Sequence, residues 1–217
     1  MADTAAAMRV VKNSASLTAV NEVYETYDTS LPLMLSDLLA AGVASGLAIR
    51  LRKLTGMTVT AEGAAQQLQA LQHCTSLTHL DISGSYLRDC LVVDLAAALQ
   101  AMPRLTCLHM CSCDLQSQLV VAALASALQP LTQLQHLHLA NCRIGEAELA
   151  ALAPALSGMP GLQTLDVSKN RLLRGAGAEA LCTLLGAVPG LTHLDISYSP
   201  LLEEGAALLA VSAISRP

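Results

Sequence analysis

With 217 residues the chain has room for one or two domains, and 12 Lys and Arg against 17 Asp and Glu leave a net charge of −5. No basic run stands in it, so direct nucleic-acid binding is not expected on electrostatic grounds. Charged residues are only 13%, Phe and Trp are absent and the mean hydropathy is +0.49. The core must therefore be filled by Leu, Ile, Val, Met and Ala, and the apolar balance fits either an alanine-rich helical coat or a subunit covered by neighbours in an assembly.

The opening stretch, Met1 to Val20, is poor in acid and carries Arg9 and Lys12 among Ala and Ser. It weakly resembles an organelle transit peptide, and a frayed or wrapping tail is the better reading. Leu17, Val20, Val23, Tyr24 and Tyr27 return at helical spacing, which predicts a helix over 14–27 with Ser14 or Ser16 as N-cap. A second helix is expected over Pro32–Ala41, with Pro32 in its first turn and Gly42 at its stop. Pro32, Asp37, Gly42 and Gly46 interrupt the apolar run from Leu31 to Leu51, so no membrane span is expected there. Residues 1–48 thus read as an N-terminal extension and a capping helix for the apolar end of residues 49–217.

From Leu77 onward a single line recurs. Leu77, Leu105, Leu134, Leu162 and Leu191 each open the pattern Leu-x-x-Leu-x-apolar, at steps alternating between 28 and 29 residues. The second leucine is Leu80, Leu108, Leu137, Leu165 or Leu194, and the apolar residue is Ile82, Met110, Leu139, Val167 or Ile196. A small residue stands three further on: Ser85, Cys113, Cys142, Asn170 or Ser199. A fixed period of this length marks a stack of like supersecondary units, each unable to bury its own apolar face alone. Counting back 28 residues gives a degenerate first unit through Ile49, Arg52, Leu54, Met57 and Val59. An alternative register there buries Leu51 instead. Residues 49–217 accordingly form the repeat domain, with units starting near 49, 77, 105, 134, 162 and 191.

Each unit reads as a short strand, a turn and a helix of about three turns. Strand alternation points Leu80 and Ile82 inward, and His79, Asp81 and Ser83 outward. The helix buries one stripe, such as Leu91, Leu95 and Leu99, or Leu181 and Leu185. The seven cysteines (Cys74, Cys90, Cys107, Cys111, Cys113, Cys142 and Cys182) are odd in number, and several fall on repeat positions. With no secretory signal at the start, they fit a reduced intracellular compartment, cytoplasmic or organellar, better than a disulfide framework.

The run Leu162-Gln-Thr-Leu-Asp-Val-Ser-Lys-Asn170-Arg-Leu, followed by Gly175-Ala-Gly-Ala-Glu-Ala-Leu-Cys-Thr-Leu-Leu185, resembles the ribonuclease-inhibitor-like class of leucine-rich repeat. The resemblance covers roughly Ile49 to Ile214. It implies an α/β leucine-rich repeat solenoid of about six repeats: a right-handed curved horseshoe segment with a parallel sheet on the concave face and helices on the convex face. Relatives of that class include ribonuclease inhibitor, the sensor ends of NOD-like receptors and the Ran GTPase-activating proteins.

The outward columns of the sheet are the candidate protein-binding face. The first reads His79, Cys107, His136, Thr164 and His193; the second Asp81, His109, His138, Asp166 and Asp195; the third Ser83, Cys111, Ala140, Ser168 and Ser197. Cys107, His109, His136 and His138 make a square on two adjacent strands with the ligand types of zinc, although such a square is flat and not tetrahedral. His79, Asp81 and Ser83, repeated as His193, Asp195 and Ser197, are the residue types of a hydrolase triad. Spaced along one extended strand, they cannot reach one another, so no catalytic residue is assigned. The Gly-rich Arg174-Gly-Ala-Gly-Ala run has no phosphate-loop lysine and reads as a helix start. Histidines on the concave face make binding there expected to depend on pH between about 5 and 7.

Together these features describe a non-enzymatic interaction module, an adaptor or structural subunit of a larger assembly, with protein partners and neither cofactor nor membrane. The resemblance also admits a GTPase-activating role of the Ran type, with Asn141, Arg143, Asn170 and Arg171 as rim candidates. Metal binding by the Cys/His square is the further alternative.

Overall fold

The computed structural model describes residues 19–21, 51–59, 64–87, 91–170 and 175–199. The elements in chain order are β1 (Ala19–Asn21), β2 (Lys53–Thr55), α1 (Ala64–Leu71), β3 (His79–Asp81), α2 (Val92–Gln100), β4 (Cys107–His109), α3 (Gln118–Leu128), β5 (His136–His138), α4 (Glu146–Ser157), β6 (Thr164–Asp166), α5 (Gly175–Ala187) and β7 (His193–Asp195). The seven strands form one parallel sheet in strictly sequential order. From β2 onward each strand is joined to its neighbour through a helix, as parallel pairing demands. The result is an α/β leucine-rich repeat solenoid.

Register follows the leucines. Leu54, Leu80, Leu108, Leu137, Leu165 and Leu194 lie opposite one another across successive strands. The first five are buried to within 1% of full exclusion from solvent, whereas Leu194, on the last described strand, is only half-buried. Behind this row run Leu77, Leu105, Leu134 and Leu162, and the helices close the core with Leu68, Leu95, Leu124, Leu152 and Leu181. Alanine occupies the adjoining helical column at Ala98, Ala127 and Ala155, all buried, so consecutive helices need no large side chain between them.

The turns after the strands are built from two columns. Gly84 adopts φ +73°, and the equivalent Ser112, Asn141, Lys169 and Tyr198 adopt φ between 54° and 57°. A left-handed conformation costs an ordinary L-residue about 1–2 kcal/mol. It is held by a backbone bond into the next unit: the N–H groups of Gly84, Ser112, Asn141 and Lys169 donate to the carbonyls of Cys111, Ala140, Ser168 and Ser197. One residue on stands the small-residue column. Ser85 Oγ accepts from Val59 N–H at 2.9 Å and itself donates to the Ile82 carbonyl. Cys113 Sγ donates to the Ile82 carbonyl at 3.5 Å, Cys142 Sγ to the Met110 carbonyl at 2.9 Å, and Ser199 Oγ to the Val167 carbonyl at 3.3 Å. Cys113, expected from its spacing as a turn residue of this column, has that place. Burial drives its thiol up to about 12, so it stays a protonated donor.

Two expectations change at the N-terminal side. Residues 19–21, within the predicted helix 14–27, are a strand: Ala19, Val20 and Asn21 pair in parallel with Lys53, Leu54 and Thr55 and extend the sheet by one member. The other residues of that predicted helix, and the predicted helix Pro32–Ala41, lie outside the described residues. In the first unit the register that buries Leu51 prevails. Leu51 and Leu54 point into the core, Arg52 is exposed, and the spacing to the next unit is 26 residues, as in the Thr78–Arg52 and Val59–Ser85 contacts. Gly56, at φ +76°, makes the turn of this shortened unit.

Candidate functional site

Parallel pairing aligns the outward residues into columns. His79 lies opposite Cys107, Cys107 opposite His136, His136 opposite Thr164 and Thr164 opposite His193. Beside them Asp81, His109, His138, Asp166 and Asp195 form the second column. The sheet centre is better covered than its C-terminal side: Cys107 and Ser168 are buried, His109, Cys111, His136, His138, Thr164 and Asp166 half-buried, and His193, Asp195 and Ser197 exposed.

The serine and aspartate positions have structural duties. Asp81 Oδ1 accepts from Ser83 N–H at 2.9 Å, Asp166 Oδ1 from Ser168 N–H at 2.9 Å and Asp195 Oδ1 from Ser197 N–H at 2.8 Å. Each carboxylate therefore starts the turn after its strand. Ser83 Oγ accepts from Cys111 N–H at 3.1 Å, tying two units together. The histidines of the same strands face elsewhere, His79 Nδ1 meeting Thr78 Oγ1 and His193 Nδ1 meeting Thr192 Oγ1, both at 2.9 Å. On β3 and β7 the aspartate thus bonds the following serine while the histidine bonds its neighbouring threonine, so the three are not linked in the histidine-centred order a triad needs.

Of the four members of the Cys/His square, three converge. Cys107 Sγ lies 3.1 Å from His109 Nε2, and the His109 and His138 rings stack with centroids 4.2 Å apart and planes 1° from parallel. One ligand-capable atom from each of Cys107, His109 and His138 lies within 4.8 Å of the others. His138 Nδ1 faces Asp166 Oδ2 at 3.6 Å. His136 does not join them: its Nδ1 meets Thr164 Oγ1 at 3.1 Å, on the strand to the other side. Sequence spacing placed the four on one patch, but the side-chain direction of His136 is set by its cross-strand threonine.

Electrostatics on the cluster are specific. Burial, followed by the Asp81 carboxylate, raises the Cys107 thiol above its usual range, with Lys53 opposing. Burial and then the neighbouring His138 lower the His109 imidazole, as do His79 and His136, while Asp81 opposes. A histidine whose folded pKa is depressed supports the fold above its unfolded value and costs stability as pH falls through the folded one. The melting temperature is therefore expected to fall as pH drops below about 6.5, and His109→Gln to flatten that part of the profile; thermal melts from pH 8 to 5 check it.

The rim candidates are tied up in the turns. Asn170 is buried, with both amide atoms bonded to backbone. Arg143 forms an ion pair with Asp114 at 3.1 Å, and Asn141 Nδ2 donates to Ser112 Oγ at 3.1 Å. Arg171 lies outside the described residues. Among the described residues the exposed large apolar side chains are Tyr86 and Tyr198 on the turns and Val93 and Leu119 on the helices, and the Lys169 ammonium sits 5.9 Å from the Tyr198 ring centroid. Sequence reading did not single these out, because an isolated apolar surface residue carries no pattern. Among the described residues no helix is long and apolar enough to cross a membrane.

A family model described as "Leucine Rich repeat" matches residues 73–89 and 160–182. A solved structure of a Bacteroides fragilis protein is similar at 17% identity and TM-score 0.53, covering 97% of this chain and 69% of that one. An internalin from Listeria monocytogenes is similar at 17% identity and TM-score 0.46, covering 92% of this chain and 61% of that one, so the chain spans less than two thirds of the internalin's length. No curated protein matches in sequence. Leucines returning into one interior row and strand–turn–helix units in strict sequential order give this chain the leucine-rich repeat fold, and the family model matches segments in two of those units.

Proposed function

We propose that the chain is a non-enzymatic protein-binding module, an adaptor or structural subunit of a larger intracellular assembly, which engages its partner through the concave sheet. The observation that carries this reading is the fate of the outward polar residues. Asp81, Asp166 and Asp195, with the serines that follow them, are spent on turns, and His79 and His193 pair with neighbouring threonines. What remains is a set of mostly polar side chains at fixed spacing, half-buried on β5 and exposed on β7. Such a set offers many modest hydrogen-bonding contacts across a wide area, the property of a recognition face.

Affinity purification of the full chain from its native cells, beside Thr164→Arg and His193→Glu on the sheet and Leu119→Arg on the helical side, tests this. A partner lost with the sheet variants and kept by Leu119→Arg is the expected result. Loss with Leu119→Arg alone moves the interface to the helices and overturns the concave assignment. Acceleration of GTP hydrolysis by a Ran-type GTPase under single-turnover conditions would instead establish the GTPase-activating reading. For that reading Asn141 and Arg143 are exposed on the turns but engaged with Ser112 and Asp114, and Asn170 is buried.

A further inference from the structure

We propose that Cys107, His109 and His138 bind one zinc(II) ion on the concave face, with water as the fourth ligand. Two neighbouring strands deliver the three side chains: Cys107 and His109 two residues apart on β4, and His138 directly opposite His109 on β5. Zinc bound to one thiolate and two imidazoles, at about 2.3 Å from sulfur and about 2.0–2.1 Å from nitrogen, separates its ligand atoms by roughly 3.3–3.6 Å. The Sγ–Nε2 distance of 3.1 Å is already of that size, and the whole set lies within 4.8 Å. Closure requires the remaining separations, at most 4.8 Å, to shorten to that range. The stacked imidazole rings must open from parallel so that their lone pairs converge.

The surroundings suit a cation. His138 turns Nδ1 toward Asp166 at 3.6 Å, which leaves Nε2 for the metal and supplies the carboxylate partner that ligating histidines ordinarily have. Asp81 acts electrostatically on both Cys107 and His109 from the other side. On binding, the Cys107 S–H bond breaks, its proton passes to water, and the sulfur's electron pair forms the bond to zinc. Cys107 is buried while the two histidines are half-buried, so the fourth position opens to solvent on the concave side. The assignment stands apart from whatever protein the sheet engages.

The experiment uses the full chain, reduced and stripped with chelator, titrated with cobalt(II) and then zinc(II). One equivalent of cobalt is expected to produce a thiolate-to-metal charge-transfer band, which zinc abolishes by displacement while raising the melting temperature. Cys107→Ser is expected to remove the band, and His109→Gln or His138→Gln to weaken affinity at least about 100-fold. Asp166→Asn is expected to weaken it roughly tenfold through the lost support of His138. Cys111→Ser and His136→Gln are expected to bind as the parent does, and circular dichroism reports whether each variant is folded. Absence of the band, or a band unchanged in Cys107→Ser, overturns the proposal. Should Cys107→Ser fail to fold, unchanged affinity in His138→Gln overturns it equally.

Discussion

Replacing Asn170 by leucine is expected to lower the unfolding free energy by about 3–5 kcal/mol. The side chain is 2% exposed and serves two units at once. Its Oδ1 accepts from the N–H groups of Cys142 at 2.8 Å and Ile144 at 3.1 Å in the preceding turn. Its Nδ2 donates to the carbonyls of Leu139 at 2.8 Å, Val167 at 2.9 Å and Ser168 at 3.1 Å. Leucine preserves the volume and withdraws every one of these partners. A buried backbone group left unpaired costs about 1–3 kcal/mol, and two N–H donors lose their acceptor together. Serine or cysteine, the residues found at the equivalent positions Ser85, Cys113, Cys142 and Ser199, can still reach a backbone carbonyl. Asn170→Ser is therefore expected to cost less than Asn170→Leu. Aspartate is the poorer replacement for its size, since its oxygens would face three carbonyls. Urea unfolding followed by circular dichroism measures the series, and a leucine variant within about 1 kcal/mol of the parent would contradict the dependence of both N–H donors on Asn170.

Asn170 also shows what could be read from the chain before its structure. Its column was legible because the leucines fix the period, and everything at a constant offset from them falls into register. The same logic gave the outward columns from His79 to Ser197. Legibility ended where the period or the side chain is set by something other than leucine. The first unit is shorter, and Arg52 there stands beside the true core residue Leu51. Three residues, 19–21, pair with β2 although Val20, Val23, Tyr24 and Tyr27 carry a helical period; a strand that short has too little alternation to compete, and its pairing is a tertiary event. The left-handed column went unseen for a related reason. Gly84 and Asn141 are residue types that favour it, but Ser112, Lys169 and Tyr198 are not, and for Ser112 and Lys169 a backbone bond to the next unit holds the turn. The Cys/His cluster was legible as a patch and not as a trio, because Thr164, one unit further on, decides which way His136 turns.

The interior leucine row supplies the second large effect. Leu137→Ala, at full burial in β5, is expected to destabilise by about 2–5 kcal/mol, the range for a leucine whose cavity cannot collapse. Collapse is hindered here because strands on both sides hold Leu108 and Leu165 in register with it, each pinned by its own ladder bonds. Leu194, the same residue in β7, is half-buried and recovers less on folding, so Leu194→Ala is expected to cost about 1 kcal/mol. The contrast separates two pictures of the molecule. If stability is a sum of unit terms and nearest-neighbour interfaces, the central cavity weakens the coupling between the units before and after β5. Hydrogen exchange on Leu137→Ala should then show the amides of β3 and those of β6 losing protection to different extents, with a broadened denaturant transition. A Leu137→Ala cost no greater than that of Leu194→Ala would mean that the row is not the shared core of the stack.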